Sequence, residues 1–219
     1  LLSRDLDNWI TGEPMPWVPA LNDQVKPQAR VEPRRTDQAH ICLAVRGLEY
    51  NHPERYTLDV FNAILGGGMS SRLFLELREH LGLVYSINSS NSHFYDAGAL
   101  IVDCSTQPKN ATQVITTILK ELEKLKFLIP EAEMGKAKEM LKGRLLLRME
   151  NTRNVAFWHG IQETLLGRVT DVDETVHRID AVTAEDIQRL AQSLVVPQNL
   201  NLAVVGPYRS VARFERMLA

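Results

Sequence analysis

The sequence predicts an α+β fold, a largely antiparallel sheet covered by helices, on three observations. Apolar residues alternate with period two in four separated stretches, near 41–45, 83–87, 100–104 and 200–204. Between 108 and 194 they recur instead at helical spacing, and Gly, Pro or capping residues punctuate the runs. The order that results is strand, helices, hairpin, several helices, strand, helix. It segregates the two kinds of element, whereas a doubly wound fold alternates them.

Residues 1–37 read as a linker from something upstream, and 38–219 as one domain. Pro14, Pro16, Pro19, Pro27 and Pro33 fall in the leader with little periodicity, the composition of an extended connector and not of a helix or sheet element. A strand follows, in which Ile41, Leu43 and Val45 alternate with Cys42, Ala44 and Arg46. Pro53 suits a first helical turn, and Tyr56, Val60, Phe61, Ile64 and Leu65 extend that helix until Gly66, Gly67 and Gly68 break it. Ser70 and Ser71 are candidate N-caps for a second helix with Leu73, Phe74, Leu77 and Leu81 on its apolar stripe and Gly82 as its stop.

Leu83, Tyr85 and Ile87 alternate along the next strand, and Asp96-Ala97-Gly98 can turn it into a third, with Leu100, Val102 and Cys104 on one face. A long helix is expected after Pro108, supported by Val114, Ile115, Ile118, Leu119, Leu122 and Leu125, and further helices over 131–150, 153–166, 173–180 and 184–194. Thr183, followed by Ala184-Glu185-Asp186, looks like an N-cap with acids in the first turn. Leu200, Leu202 and Val204 form a last strand ended by Gly206-Pro207, and a short helix closes the chain at Phe214–Leu218.

With 25 Lys and Arg against 27 Asp and Glu, a net charge of −2 and 44% hydrophobic residues, the 219-residue chain has ordinary globular values. It offers no basic field or run for nucleic acid or a polybasic membrane contact. No apolar stretch approaches the ~20 residues of a membrane helix. Cys42 and Cys104 fall in strands without a Cys-x-x-Cys spacing and read as two reduced core thiols. The chain begins Leu1-Leu2-Ser3, which suggests a fragment or processed chain, so the compartment stays open: cytoplasmic or periplasmic if the source is bacterial.

The histidines His40, His52, His80, His93, His159 and His177 form neither His-Glu-x-x-His nor His-x-x-Glu-His, and no metal is expected on this chain. His52-Pro53-Glu54 reads as a capping turn. The glycine run lacks a Gly-Lys-Ser/Thr ending and follows a helix, which makes it a tight hinge and not a phosphate loop. Ser70 and Ser71 have no Gly-x-Ser-x-Gly elbow and read as caps, not nucleophiles. Arg78 and Tyr85 stand out. Arg78 ends a helix and Tyr85 opens the adjoining strand, so a guanidinium and a phenol can reach one mouth, where both could donate hydrogen bonds to a carbonyl developing negative charge. The alternative is a solvated arginine and a half-buried ring.

Ala63-Ile64-Leu65-Gly66-Gly67-Gly68-Met69-Ser70-Ser71-Arg72-Leu73-Phe74, then Leu77-Arg78-Glu79 and Gly82-Leu83-Val84-Tyr85-Ser86, resemble the C-terminal domain of the pitrilysin/insulinase zinc peptidases, in their processing-peptidase-like subgroup. Asp96-Ala97-Gly98, the Glu133–Lys138 stretch, Ile179–Asp186 and Ala203–Pro207 follow in the family's order, so the resemblance covers roughly 38–207. It implies a half-clamshell that closes on a homologous zinc-bearing half or subunit. Zinc would then sit in that partner, and peptides or unfolded segments would be the substrate. It further implies that Arg78 and Tyr85 bind substrate and polarise the scissile carbonyl, the chain alone being inactive. Three arrangements accommodate the missing zinc motif: a C-terminal fragment, a separate metal-less subunit in a dimer, or a noncatalytic relative that serves assembly. Trp9 and Trp17 could mark contacts to the other half, and Trp158 is expected in the core.

Overall fold

A computed structural model describes residues 10, 12, 13 and 15–218; Trp9 and Pro14 lie outside the described residues. Its sheet has five strands: β1 (Gln28–Pro33), β2 (Ala39–Arg46), β3 (Val84–His93), β4 (Gly98–Thr106) and β5 (Leu200–Gly206). Their order is β1-β5-β2-β4-β3, antiparallel except where β1 runs parallel to β5. The α+β expectation holds.

The first correction concerns the leader. Residues 28–33 belong to the sheet, so the connector ends before Gln28. β1 is an edge strand that begins after Pro27 and ends at Pro33, positions where a missing N–H costs no central ladder bond. Its period-two signal is only Ala29 and Val31, both half-buried. The connector ahead of it is strapped to the sheet's end. Ala20 N donates to Asp96 Oδ2 (2.6 Å), Arg46 Nη2 to Leu21 O (2.9 Å) and Gln24 Nε2 to Gln198 O (2.6 Å). Trp17 meets Tyr95 edge to face at 5.5 Å and is otherwise exposed.

Eight α- or π-helices, with two short 3-10 helices at Pro108–Asn110 and Pro197–Asn199, complete the described fold: α1 (Arg55–Leu65), α2 (Phe74–His80), α3 (Ala111–Lys124), α4 (Glu131–Met149), α5 (Thr152–Leu166), α6 (Val172–Ala181), α7 (Ala184–Leu194) and α8 (Ala212–Leu218). α1 is apolar almost all round because it is central. It packs on β3 and receives α4, α6 and α7 on its outer side. α3 lies against β2 and α8 against β1. The core is the sheet face beneath these helices, where Ile41, Leu43, Val45, Leu100 and Val102 meet Phe61, Ile115 and Ile118.

Several local expectations are met for visible reasons. Thr183 Oγ1 accepts from Asp186 N (3.1 Å) while Asp186 Oδ2 accepts from Thr183 N (3.0 Å), a reciprocal cap on α7. His52 Nδ1 accepts from Glu54 N (3.1 Å), the turn that leads into α1. Cys104 is buried on the core face as expected, where burial pushes its thiol up to about 12. Three expectations fail. Cys42, expected as a core thiol, is half-buried on the other face of the sheet. Ser70 and Ser71 cap nothing: the Ser71 hydroxyl turns back to the Gly68 carbonyl, and no side chain caps α2. Trp158 is only half-buried, its Nε1 donating to Thr170 O (3.3 Å).

Candidate active-site wall

The glycine run explains how α2 is placed. A Cβ on Gly66 would lie 2.7 Å from Ser89 Oγ, and one on Gly67 2.8 Å from Ala63 Cα. These residues are therefore glycines because backbone and β3 approach too closely for a side chain. Ser89 N donates to Gly66 O (3.2 Å), which ties the turn directly to β3. Downstream, Arg72 forms a two-pronged ion pair with Glu133 (Nε–Oε1 2.7 Å, Nη2–Oε2 2.6 Å), which fastens the start of α2 to the start of α4 and raises the guanidinium's pKa.

α2 is a π-helix, a wide turn that is rare and concentrated at functional sites. It closes where Leu81 N bonds Glu76 O (3.0 Å), and Gly82 then takes the left-handed conformation at φ +59°. Leu83 N donates to Leu77 O (2.9 Å) and Leu83 O accepts from Thr106 Oγ1 (2.6 Å), so the chain enters β3 on a short, pinned path.

β3 then departs from simple alternation. Val84 faces Thr106 and Ile87 faces Cys104, so Tyr85 and Ser86 together stand opposite Ser105. This β-bulge keeps Val84 and Ile87 in the core and turns both intervening residues outward. Tyr85 is consequently 83% exposed, neither aligned with Ile87 as alternation predicted nor a half-buried ring.

The two singled-out residues do come together. The Arg78 guanidinium carbon lies 4.7 Å from the Phe74 ring centre and 5.4 Å from that of Tyr85. Glu79 Oε1 is 3.8 Å from Arg78 Nε, too long for a hydrogen bond. Among the described residues neither the guanidinium nor the phenol of Tyr85 has a hydrogen-bond acceptor. In the next position across the sheet, Ser105 Oγ pairs with His40 at 2.8 Å, continuing the polar surface from the bulge onto β4 and β2. Phe74, which props Arg78, was missed in the sequence except as part of an apolar stripe. An aromatic four residues before an arginine on one helix is the signal that could have found it.

No three His, Cys, Asp or Glu side chains among the described residues are grouped to hold a metal ion. No described helix is long and apolar enough to cross a membrane.

Comparison with known proteins bears on the family and the fold. Residues 2–141 match the family model described as the peptidase M16 inactive domain. An uncharacterized zinc protease of Bacillus subtilis (strain 168), YmxG, is 38% identical over 175 residues, 80% of this chain and 42% of the relative. The mitochondrial-processing peptidase subunit beta of Bos taurus is 27% identical over 87% of this chain and 40% of its own length. A protease from Helicobacter pylori shares the fold with a TM-score of 0.80 at 21% identity, covering 90% of this chain and 48% of that one. The chain thus spans about two fifths of the length of the curated relatives it matches. It belongs to the peptidase M16 family, as its inactive, zinc-motif-lacking domain.

Proposed function

We propose that this chain is the substrate-facing, metal-free half of a zinc metalloendopeptidase that hydrolyses peptides or unfolded segments. In this reading Arg78 and Tyr85 bind the substrate and donate hydrogen bonds to the scissile carbonyl as its oxygen gains charge. The observation that carries the reading is the closeness of the Arg78 guanidinium to the exposed Tyr85 ring, 5.4 Å apart, with the guanidinium held against Phe74 and the tyrosine turned outward by the bulge. A guanidinium stacked on a ring is restricted before substrate arrives, so less side-chain freedom is lost when it binds.

The metal belongs to a homologous half or subunit, since the described residues provide no ligand set. Names such as zinc protease and processing-peptidase subunit among the relatives support that division. Exposed apolar residues on α4 and α5, Leu146, Leu147, Phe157 and Ile161, also support a partner packed against this chain.

The test is peptide cleavage by the chain joined to, or mixed with, its zinc-bearing half. Removing one donor, by Arg78→Ala or Tyr85→Phe, is expected to slow turnover by about a hundredfold or more. Unchanged rates in folded variants would reject the role of these residues and favour a relative whose fold serves assembly.

A further inference from the structure

We infer that a cleft on the helical side, away from Arg78 and Tyr85, is a binding site for a phosphate group. It lies between the start of α1, the α5–α6 connection and α6, and three arginines, Arg55, Arg168 and Arg178, line it. No Asp or Glu is among the lining residues. Three guanidiniums around one opening repel each other unless an anion is present, and the protein supplies little of that charge. Arg178 pairs with Glu174, but among the described residues neither Arg55 nor Arg168 has a carboxylate within ion-pair reach. Glu54, beside Arg55 in sequence, is taken by Arg189 at 3.2 Å.

The remaining groups are set as donors. Arg55 lies 4.5 Å from the ring centres of both Tyr50 and Tyr56 and gives hydrogen bonds to Tyr50 O (3.1 Å) and Tyr56 Oη (2.7 Å). Because the Tyr56 oxygen accepts from Arg55, its own proton is free for a ligand. His52 Nδ1 accepts from Glu54 N, which leaves the ring proton on Nε2, a further donor in the lining. Behind the cleft, Gln162 accepts from Thr170 N (3.0 Å) and is buried with its Nε2 donor unpartnered.

The inner volume is about 20 Å³, room for one oxygen atom, so a larger group can enter only in part. A tetrahedral phosphate can seat one oxygen there and hold the others at the mouth, where the exposed Arg168 and Arg178 offer planar, paired donors. The surface is independent of the peptidase reading, so either can fail without the other.

Titration of the purified chain with inorganic phosphate, at constant ionic strength with chloride as the balancing ion, tests the site by calorimetry and by melting temperature. Saturable one-to-one binding and a rising Tm are expected, with affinity falling about tenfold or more in Arg168→Ala. Among the described residues Arg168 makes no side-chain hydrogen bond or ion pair, whereas Arg55 is wedged between two rings and Arg178 pairs with Glu174 and lies 5.7 Å from the Tyr56 ring centre, so Arg168→Ala is the most informative single variant. Glycerol phosphate distinguishes the source: equal binding means a phosphate ester fits the mouth, and loss of binding means the free ion alone does. A response that does not saturate, or that survives in the Arg168→Ala, Arg178→Ala double variant, overturns the site.

Discussion

The two faces of one sheet differ in what specifies them. On β2 the residues Ile41, Leu43 and Val45 are buried against helices, while their neighbours His40, Cys42, Ala44 and Arg46 are half-buried or exposed. On β4 the same alternation buries Leu100 and Val102 and leaves Asp103 and Ser105 outward. The covered face is fixed by apolar packing and tolerates no polar group without a partner. The open face is free to carry His40, Ser105 and, through the bulge, Tyr85, and so holds the residues with chemistry to offer. One backbone thus separates the packed face from the polar, open face by a period of two.

The two cysteines measure that separation most sharply. They lie on adjacent strands, Cys104 toward the core and Cys42 toward the open face. With its thiol at about 12, raised by burial first and then by Asp103, Cys104 has roughly one molecule in ten thousand as thiolate at pH 8. Cys42 is raised too, by the same two causes in the same order, but it is reachable. Iodoacetamide at pH 8 is expected to label Cys42 slowly and Cys104 only after unfolding, as read by peptide mass mapping. Equal labelling in the native state would break the assignment of faces.

Mutations on the two faces should differ next. Leu43→Ala, at a fully buried position, is expected to cost about 2–5 kcal/mol in a denaturant titration. His40→Ala, three residues away and exposed, should stay within about 0.5 kcal/mol. A large loss at His40 would mean that its pairing with Ser105 helps hold the sheet together, and the open face would no longer count as free of structural duty.

Legibility followed the same division. Four strands and the helices were readable because each carries a local period, and the Thr183 cap because its partner is three residues away. β1 was not, since an edge strand flanked by prolines shows little alternation and its identity comes from pairing with β5, distant in sequence. Arg78 and Tyr85 were readable as residue types at a suggestive spacing. That they could meet across Gly82 was readable too, but the π-turn and the bulge that set their geometry were not, because these depend on bonds to Glu76, Leu77 and Thr106 that no local pattern announces. The proposed anion cleft was also invisible: Arg55, Arg168 and Arg178 meet only after α6 folds back beside α1.

The smallest effect belongs to the ends of the covering helices. α7 buries Ile187, Leu190 and Ala191, and its first turn is closed by Thr183 and Asp186. Thr183→Ala removes the acceptor for Asp186 N and should cost about 1 kcal/mol at neutral pH. The carboxyl of Asp186 is held below its ordinary range by the Thr183 backbone N–H first, then by Arg189. A depressed folded-state pKa gives stability that is present above the unfolded value, 3.8, and is lost as pH falls through the folded one. Asp186→Asn should therefore be less stable than the parent at pH 6, and the gap should narrow as pH falls below 3.8. Melting temperatures of the two proteins across that range check it. A gap that persists unchanged into acid would mean the side-chain geometry, not its charge, closes α7, and the covered face would then owe this helix end nothing electrostatic.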